Sequence, residues 1–282
     1  MTATATAPAS TRPAPPTPPA PVITGRTPPA WVVSDALMMT KRNLLRYVRL
    51  PNLLVFSTVQ PVMFVLLFSY VFGGAIKGAL PPGVKYIDFL MPGIFVQTVI
   101  FGSVQTGVGL SDDLAKGMID RFRSLPMARS AVLAGRTLSD TVRNVFVVLL
   151  MTGVGLAIGF RFHGGFLPSI GGLALAVFFG LSFSWISALI GMSVKDPEAS
   201  QAAGFIWIFP LVFASSVFVP VQTMPKWLQA FARNNPISHT ASAIRALTQG
   251  GPVFHELWLS IIWLVAILVV FVPLAVRRYR SS

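Results

Sequence analysis

The chain has no cysteine, which excludes disulfides and thiol chemistry. Charge is scarce. Asp, Glu, Lys and Arg make up 11% of the 282 residues, where a soluble domain carries about a quarter. The three histidines, His163, His239 and His255, stand far apart, so no pair has metal-ligand spacing and no metal site is expected. No G-x-x-x-x-G-K-[ST] phosphate loop occurs anywhere, so the chain has no means of its own to cradle ATP. Ser182, Ser184 and Ser187 lie in an apolar run, but every histidine lies outside or at the edge of such runs. A buried serine nucleophile would therefore lack its base, and no catalytic residue is assigned.

What the sequence does have is hydrophobicity: 54% of residues are apolar and the mean hydropathy is +0.70. The net charge of +13 would suggest nucleic acid in a soluble protein. In so apolar a chain it fits the Lys and Arg that collect in short cytoplasmic loops of membrane proteins, so no nucleic-acid partner is expected. A buried charge at a span's centre costs about 2.5–3.5 kcal/mol on the insertion scale, so charge-free gaps mark spans. Six gaps are long enough: 50–76, 89–111, 144–160, 162–194, 199–225 and 257–276. They predict an all-α integral membrane protein with six transmembrane helices, Leu53–Phe72, Phe89–Leu110, Val142–Phe160, Ile170–Met192, Ala202–Val221 and Leu257–Val276. Arg143 is expected to snorkel to the interface. None of the runs alternates polar and apolar residues, which excludes membrane β-strands.

With both termini in the cytoplasm, sixteen of the 22 Lys and Arg residues fall on the inner side, which sets the orientation. Residues 1–30, built from Pro, Ala and Thr, form no core and read as a disordered tail without the apolar stretch of a secretory signal. Residues 31–282 form the membrane domain. Its first element, 31–49, places Val33, Leu37, Leu44 and Val48 on one face and Asp35, Arg42, Arg46 and Arg49 on the other, an amphipathic helix for the inner headgroup layer and its lipids. Outside, 222–256 reads as two short helices broken at Asn235-Pro236, a hairpin dipping back into the outer leaflet or a plain surface cap.

The charge that the spans avoid is concentrated in SDDLAKGMIDRFRSLPMARS, Ser111–Ser130. It reads as a cytoplasmic helix started by Ser111, Asp112 and Asp113, ended by Pro126, and striped by Leu114, Met118, Phe122 and Leu125. Gly117 weakens it by about 1 kcal/mol against Ala. Such a stripe suits a partner's groove or the membrane surface, and periodicity does not choose between them.

Several stretches together resemble the permease subunit of type-2 ABC exporters, in particular the daunorubicin/doxorubicin-resistance permease group. They are KGMIDRFRSLPMARSAVLAGRTLSD (116–140), IGFRFHGG (158–165), VKDPEAS (194–200) and MPKWLQAFARNNPISHTASAIRAL (224–247). Their order and spacing cover roughly residues 31–280. The resemblance implies a non-enzymatic transport subunit, paired with a second permease, identical or paralogous, and with two ABC ATPase subunits that use ATP and magnesium. This chain itself binds no cofactor. It also implies that Lys116, Gly117, Asp120, Arg121, Phe122, Arg123, Leu125 and Pro126 form the coupling helix in the ATPase cleft, beside helix 31–49 and a smaller contact at 195–199.

The competing reading, an ion-coupled secondary transporter, calls for an ionisable group mid-span. The sequence places none there, since Asp88 and Glu256 fall at span ends. Pro61, Pro92 and Pro210 are expected hinge points. Phe95, Gln97 and Gln105 on the second span, with Phe205, Trp207, Phe209 and Phe213 on the fifth, are candidates to line a path for a bulky, partly apolar drug-, polyketide- or lipid-like molecule. The plain alternative for these aromatics is lipid or core packing. Gly155–Gly159, a G-x-x-x-G, permits a close helix contact within or between subunits.

Overall fold

The computed structural model describes residues 29–49, 51–76, 78, 80, 83–118 and 129–281. The Pro-rich tail up to residue 28 and the centre of the charged segment, 119–128, lie outside the described residues. The described chain is helical: α1 (Pro29–Arg49), α2 (Pro51–Leu67, running on through a π-helical turn Phe68–Phe72 and a last turn Gly73–Ile76), α3 (Tyr86–Ala115), α4 (Arg129–Ile158), α5 (Phe166–Val194), α6 (Pro197–Phe213), α7 (Lys226–Asn234), α8 (Pro236–Gln249) and α9 (Phe254–Ser281). Five helices among the described residues are long and apolar enough to cross a bilayer: Thr58–Ile76, Tyr86–Ala115, Leu133–Ile158, Phe166–Val194 and Phe254–Tyr279.

The sixth expected span behaves differently. α6 begins at Pro197, with the Asp196 carboxylate accepting from the Ala199 N–H at 2.7 Å as an N-cap. It has 17 residues, about 26 Å at 1.5 Å per residue, and ends at Phe213, whereas the hydrophobic run carried the expected helix to Val221. Side chains end it there. The Asn235 amide donates to the carbonyls of Leu211 (2.7 Å) and Ala214 (3.2 Å), which the helix leaves open. Ser215 Oγ donates to the Val212 carbonyl, and the Ser216 amide donates to Ser238 Oγ of α8 at 3.0 Å. Non-helical backbone is tolerated at membrane depth only when protein satisfies it, and here it is buried and satisfied.

α3 is the hub. It packs on α4, α5, α6 and α8, and most of its length is buried. Bilayer helices gain little from burying apolar surface against one another, so close backbone packing has to hold them. Gly107 and Gly191 provide it between α3 and α5. A Cβ on either would run into the other helix's backbone. Gly155, of the G-x-x-x-G, packs on Met91 within the same chain.

α1 is amphipathic as expected, but its buried side is turned. Met39, Thr40 and Asn43 are buried, and α1 packs on α4 where Gly135 lets the backbones approach. Thr40 Oγ1 lies 3.3 Å from the Gly135 carbonyl. Leu37, Met38 and Leu45 stay exposed beside Lys41, an apolar and basic surface suited to lipid.

Arg143 corrects a second expectation. It does not snorkel. Its side chain is buried and donates from Nη2 to the Gly102 carbonyl of α3 at 2.6 Å. Asp140 is fully buried too, and both lie within the Leu133–Ile158 window, so that span does carry ionisable groups. The cause is packing. A guanidinium held by a carbonyl and a carboxylate avoids the cost of an unpaired charge.

Candidate functional site

The bundle offers three features: the root of the charged arm, an aromatic face on α6, and the α7–α8 hairpin at the opposite end.

The arm does not start as a separate helix. Residues 111–115 are the last turn of α3, and Ser111 Oγ donates to the Val108 carbonyl at 2.8 Å instead of capping a new N-terminus. Gly117 ends the helix at φ +64, a left-handed conformation that favours glycine. Asp112 and Asp113 thus sit at a helix C-terminus, against the helix dipole. Lys116 offsets this with an exposed 2.7 Å pair to Asp112. Lys116 and Gly117 are surface-exposed at the root of the arm. Asp120, Arg121, Phe122, Arg123, Leu125 and Pro126 lie outside the described residues.

On α6, Ser200, Gly204, Ile208 and Val212 recur every four residues and are buried. The adjacent stripe is Phe205, Phe209 and Phe213. These rings contact in series, at 5.5 Å between Phe205 and Phe209 and 5.6 Å between Phe209 and Phe213. Phe101 of α3 joins them at 5.9 Å from Phe205 and 5.4 Å from Phe209. The series continues through Phe218, 5.3 Å from Phe213, to Phe68 on the π-helical turn of α2 at 4.4 Å. Phe209 and Phe213 are 41% and 45% exposed, so the ladder has an open side. Gln105, one turn from Phe101, is exposed. Phe95 and Gln97 are not on this face. Both are buried in the core, with Phe95 edge-on to Phe160 at 6.3 Å. Trp207 is half-buried and stacks on Phe183 at 5.9 Å. Phe68, Phe101 and Phe218 were not picked out from sequence, because i, i+4 spacing identifies a stripe on one helix and not which helices meet.

The hairpin is stapled on every side. Arg245 of α8 is its centre. It donates to the carbonyls of Phe89 (Nε, 2.7 Å), Ser216 and Val217 (Nη2, 3.2 Å), and its guanidinium lies 3.8 Å from the centre of the Phe89 ring. Burial pulls its pKa down to about 9, still protonated at neutral pH with every donor in place. The Tyr86 hydroxyl donates to Phe218 O at 2.8 Å. The His163 and Gly164 amides donate to Thr248 O at 2.8 and 2.9 Å, and the Gln249 amide donates to Arg161 O at 3.1 Å. His239 pairs with Glu256 of α9 at 2.7 Å. Asp88 is buried, accepting the Arg161 amide at 3.1 Å. Asn235 of the NP pair, visible in the sequence, thus caps the end of α6, and the following Arg245 satisfies the turn after it. Among the described residues no group of His, Cys, Asp and Glu is arranged to hold a metal.

Comparison with known proteins agrees with this architecture. Residues 35–248 match the family described as ABC-2 type transporter. A daunorubicin resistance ABC transporter permease protein of Streptomyces coeruleorubidus is 38% identical over 253 residues, covering 90% of this chain and 88% of that one. A probable doxorubicin resistance ABC transporter permease protein of Mycobacterium tuberculosis is 26% identical over 89% of this chain and 90% of its own length. A doxorubicin resistance ABC transporter permease protein of the same organism is 29% identical over 70% of this chain and 71% of its own.

Proposed function

The chain belongs to the ABC-2 type transporter family, as a transmembrane subunit, and we propose that it forms the translocation path of an ATP-driven exporter whose ATPase is a separate chain. The observation that carries this is the combination of a membrane bundle without any phosphate loop and an arm, 111–130, too long and too charged for a mere connector. ATP then acts only through a partner, since a ligand shifts an equilibrium solely by binding one state better. The arm is the point of contact, with Phe122 and Leu125 filling the ATPase cleft and Arg121 and Arg123 meeting acids at its rim. Two ATPases and two permeases make the working unit. ATP closes the ATPases, presses on the arms and rocks the bundles between inward- and outward-open states. An affinity-tagged chain taken from its native membrane is expected to bring an ABC ATPase with it, and its isolation without one would count against the reading.

In this reading six crossings place both termini and the arm in the cytoplasm, α6 completing its crossing through the capped turn after Phe213. A cysteine placed at 78 should react with an impermeant thiol reagent in intact cells and one at 120 only after the cells are opened. The opposite pattern would reverse the topology. Since the chain has no cysteine of its own, the labelling is unambiguous.

The open ladder of Phe205, Phe209 and Phe213 with Phe101 and Gln105 supports a substrate path for a bulky, amphiphilic molecule of drug, polyketide or lipid-like kind. All three relatives described above are named for resistance to daunorubicin or doxorubicin. Changing Phe209 and Phe213 together to Ala should lower export at least tenfold, while ATPase association stays intact. Export at the parent rate would assign the ladder to lipid contact.

A further inference from the structure

Four ionisable side chains gather between α3 and α4 near the root of the arm. Arg136, Asp140 and Arg143 are spaced i, i+4 and i+7, one stripe of α4 turned toward α3. Asp140 is fully buried. The Thr106 hydroxyl of α3 donates to its Oδ2 at 2.6 Å. Arg136 Nε lies 3.7 Å from that oxygen, and Arg143 Nη1 lies 3.9 Å from Oδ1. Both arginines continue across to α3. Arg136 donates to the Gln105 carbonyl at 3.3 Å and lies 3.9 Å from the Asp113 carboxylate, and Arg143 donates to the Gly102 carbonyl at 2.6 Å.

α3 is cut to receive them. A Cβ on Gly109 would overlap the Arg136 guanidinium, and one on Gly102 would come within 2.9 Å of Arg143. Among the described residues, two carboxylates face two guanidiniums. From Gly102 to Asp113, about three helical turns, the helices are pinned at every turn. They are also the two roots of the arm, which leaves α3 after Ala115 and enters α4 at Arg129. Had the roots been free to slide, a push on the arm would be spent in shearing them apart. Close-packed interfaces do not deform continuously.

We propose that Asp140 is a positioning residue that locks α3 and α4 into one body, so that displacement of the arm swings both helices together. This rests on the reading of the arm as the ATPase contact. The lock meets Gln105 of the aromatic face through its backbone carbonyl, and acts on coupling rather than on substrate binding.

The test uses the whole transporter with its ATPase in vesicles. Spin labels go on A115C of α3 and L138C of α4, both at exposed positions. In the parent the label-to-label distance should be narrow and the same with and without trapped ATP. In D140N it should broaden, export should fall at least tenfold, and the ATPase should still co-purify and hydrolyse ATP. A merely structural role would lower export and hydrolysis together through loss of protein. If D140N does not insert, T106V carries the same test, since it removes one hydrogen bond and keeps the charges; export should fall about threefold with hydrolysis unchanged. A parent distance that shifts by roughly 5 Å, one helical turn, on ATP trapping would overturn the proposal. So would D140N, or T106V where D140N does not insert, exporting at the parent rate. A parent chain that retains no ATPase in this preparation would instead sink the coupling reading, and the proposal with it.

Discussion

Arg245→Ala should unfasten the hairpin. The guanidinium is the donor to the Phe89, Ser216 and Val217 carbonyls. It sits where α6 has already ended, so no helix hydrogen bond replaces it at Ser216 and Val217. An unsatisfied buried carbonyl costs about 1–3 kcal/mol, so losing these donors together should destabilise the fold by on the order of 3 kcal/mol or more. A midpoint of thermal unfolding in detergent lower by about 5–10 °C is the expected reading for a chain of this size. Arg245→Lys should recover only part of this, because an ammonium lacks the planar fork that reaches α3 and the turn at once. The cut should localise: the hairpin should become protease-sensitive before the bundle does. A variant as stable as the parent would show that water can replace the guanidinium, and that the hairpin is a cap and not a packed wedge.

The second large effect belongs to the arm. Changing Phe122 and Arg123 together to Ala should leave the chain inserted at the parent level, since both positions fall in the charged stretch between two charge-free runs of the sequence. Association with the ATPase should fall at least tenfold. A buried aromatic anchor and its neighbouring arginine commonly contribute about 2 kcal/mol or more each at an interface. Export should fall with it. Hydrolysis by the ATPase alone should not change, which separates lost contact from lost catalysis. Export and co-purification at the parent level would discredit the coupling assignment, whatever happens at the other end of the molecule.

How much of this was legible in the sequence depends on which force fixed each element. Spans set by the cost of burying charge were easy to find, and Phe166–Val194 or Phe254–Tyr279 follow directly from charge-free runs. α6 was overextended because hydropathy sees composition, while its end at Phe213 is capped by Asn235, more than twenty residues away. Arg143 was expected at the membrane interface, and Arg136 only among the basic residues of the inner side, because a lone sequence shows no acceptor. Their carboxylate is a neighbour on α4, but the glycines and carbonyls that complete the cluster are on α3. The aromatic stripe of α6 was visible at i, i+4 and i+8. That Phe101 and Phe68 extend it, and that Phe95 and Gln97 are buried elsewhere, depends on helix packing that no single period encodes. The arm was read as one helix from Ser111 because its charges looked like caps. Gly117, with its positive φ, divides it from α3, although the sequence marked that glycine as a weak point.

The buried Asp140 and Arg143 also sharpen the comparison with an ion-driven carrier, which the sequence had disfavoured for want of charges inside a span. Here each is tied to arginine, carboxylate, hydroxyl or carbonyl partners across α3 and α4. The decisive measurement is uphill transport by purified chain in sealed vesicles, with and without its ATPase, under an imposed proton or sodium gradient. Accumulation that needs both the ATPase and ATP, and that is indifferent to the gradient, is the predicted result. Accumulation driven by the gradient in vesicles lacking the ATPase would contradict the account.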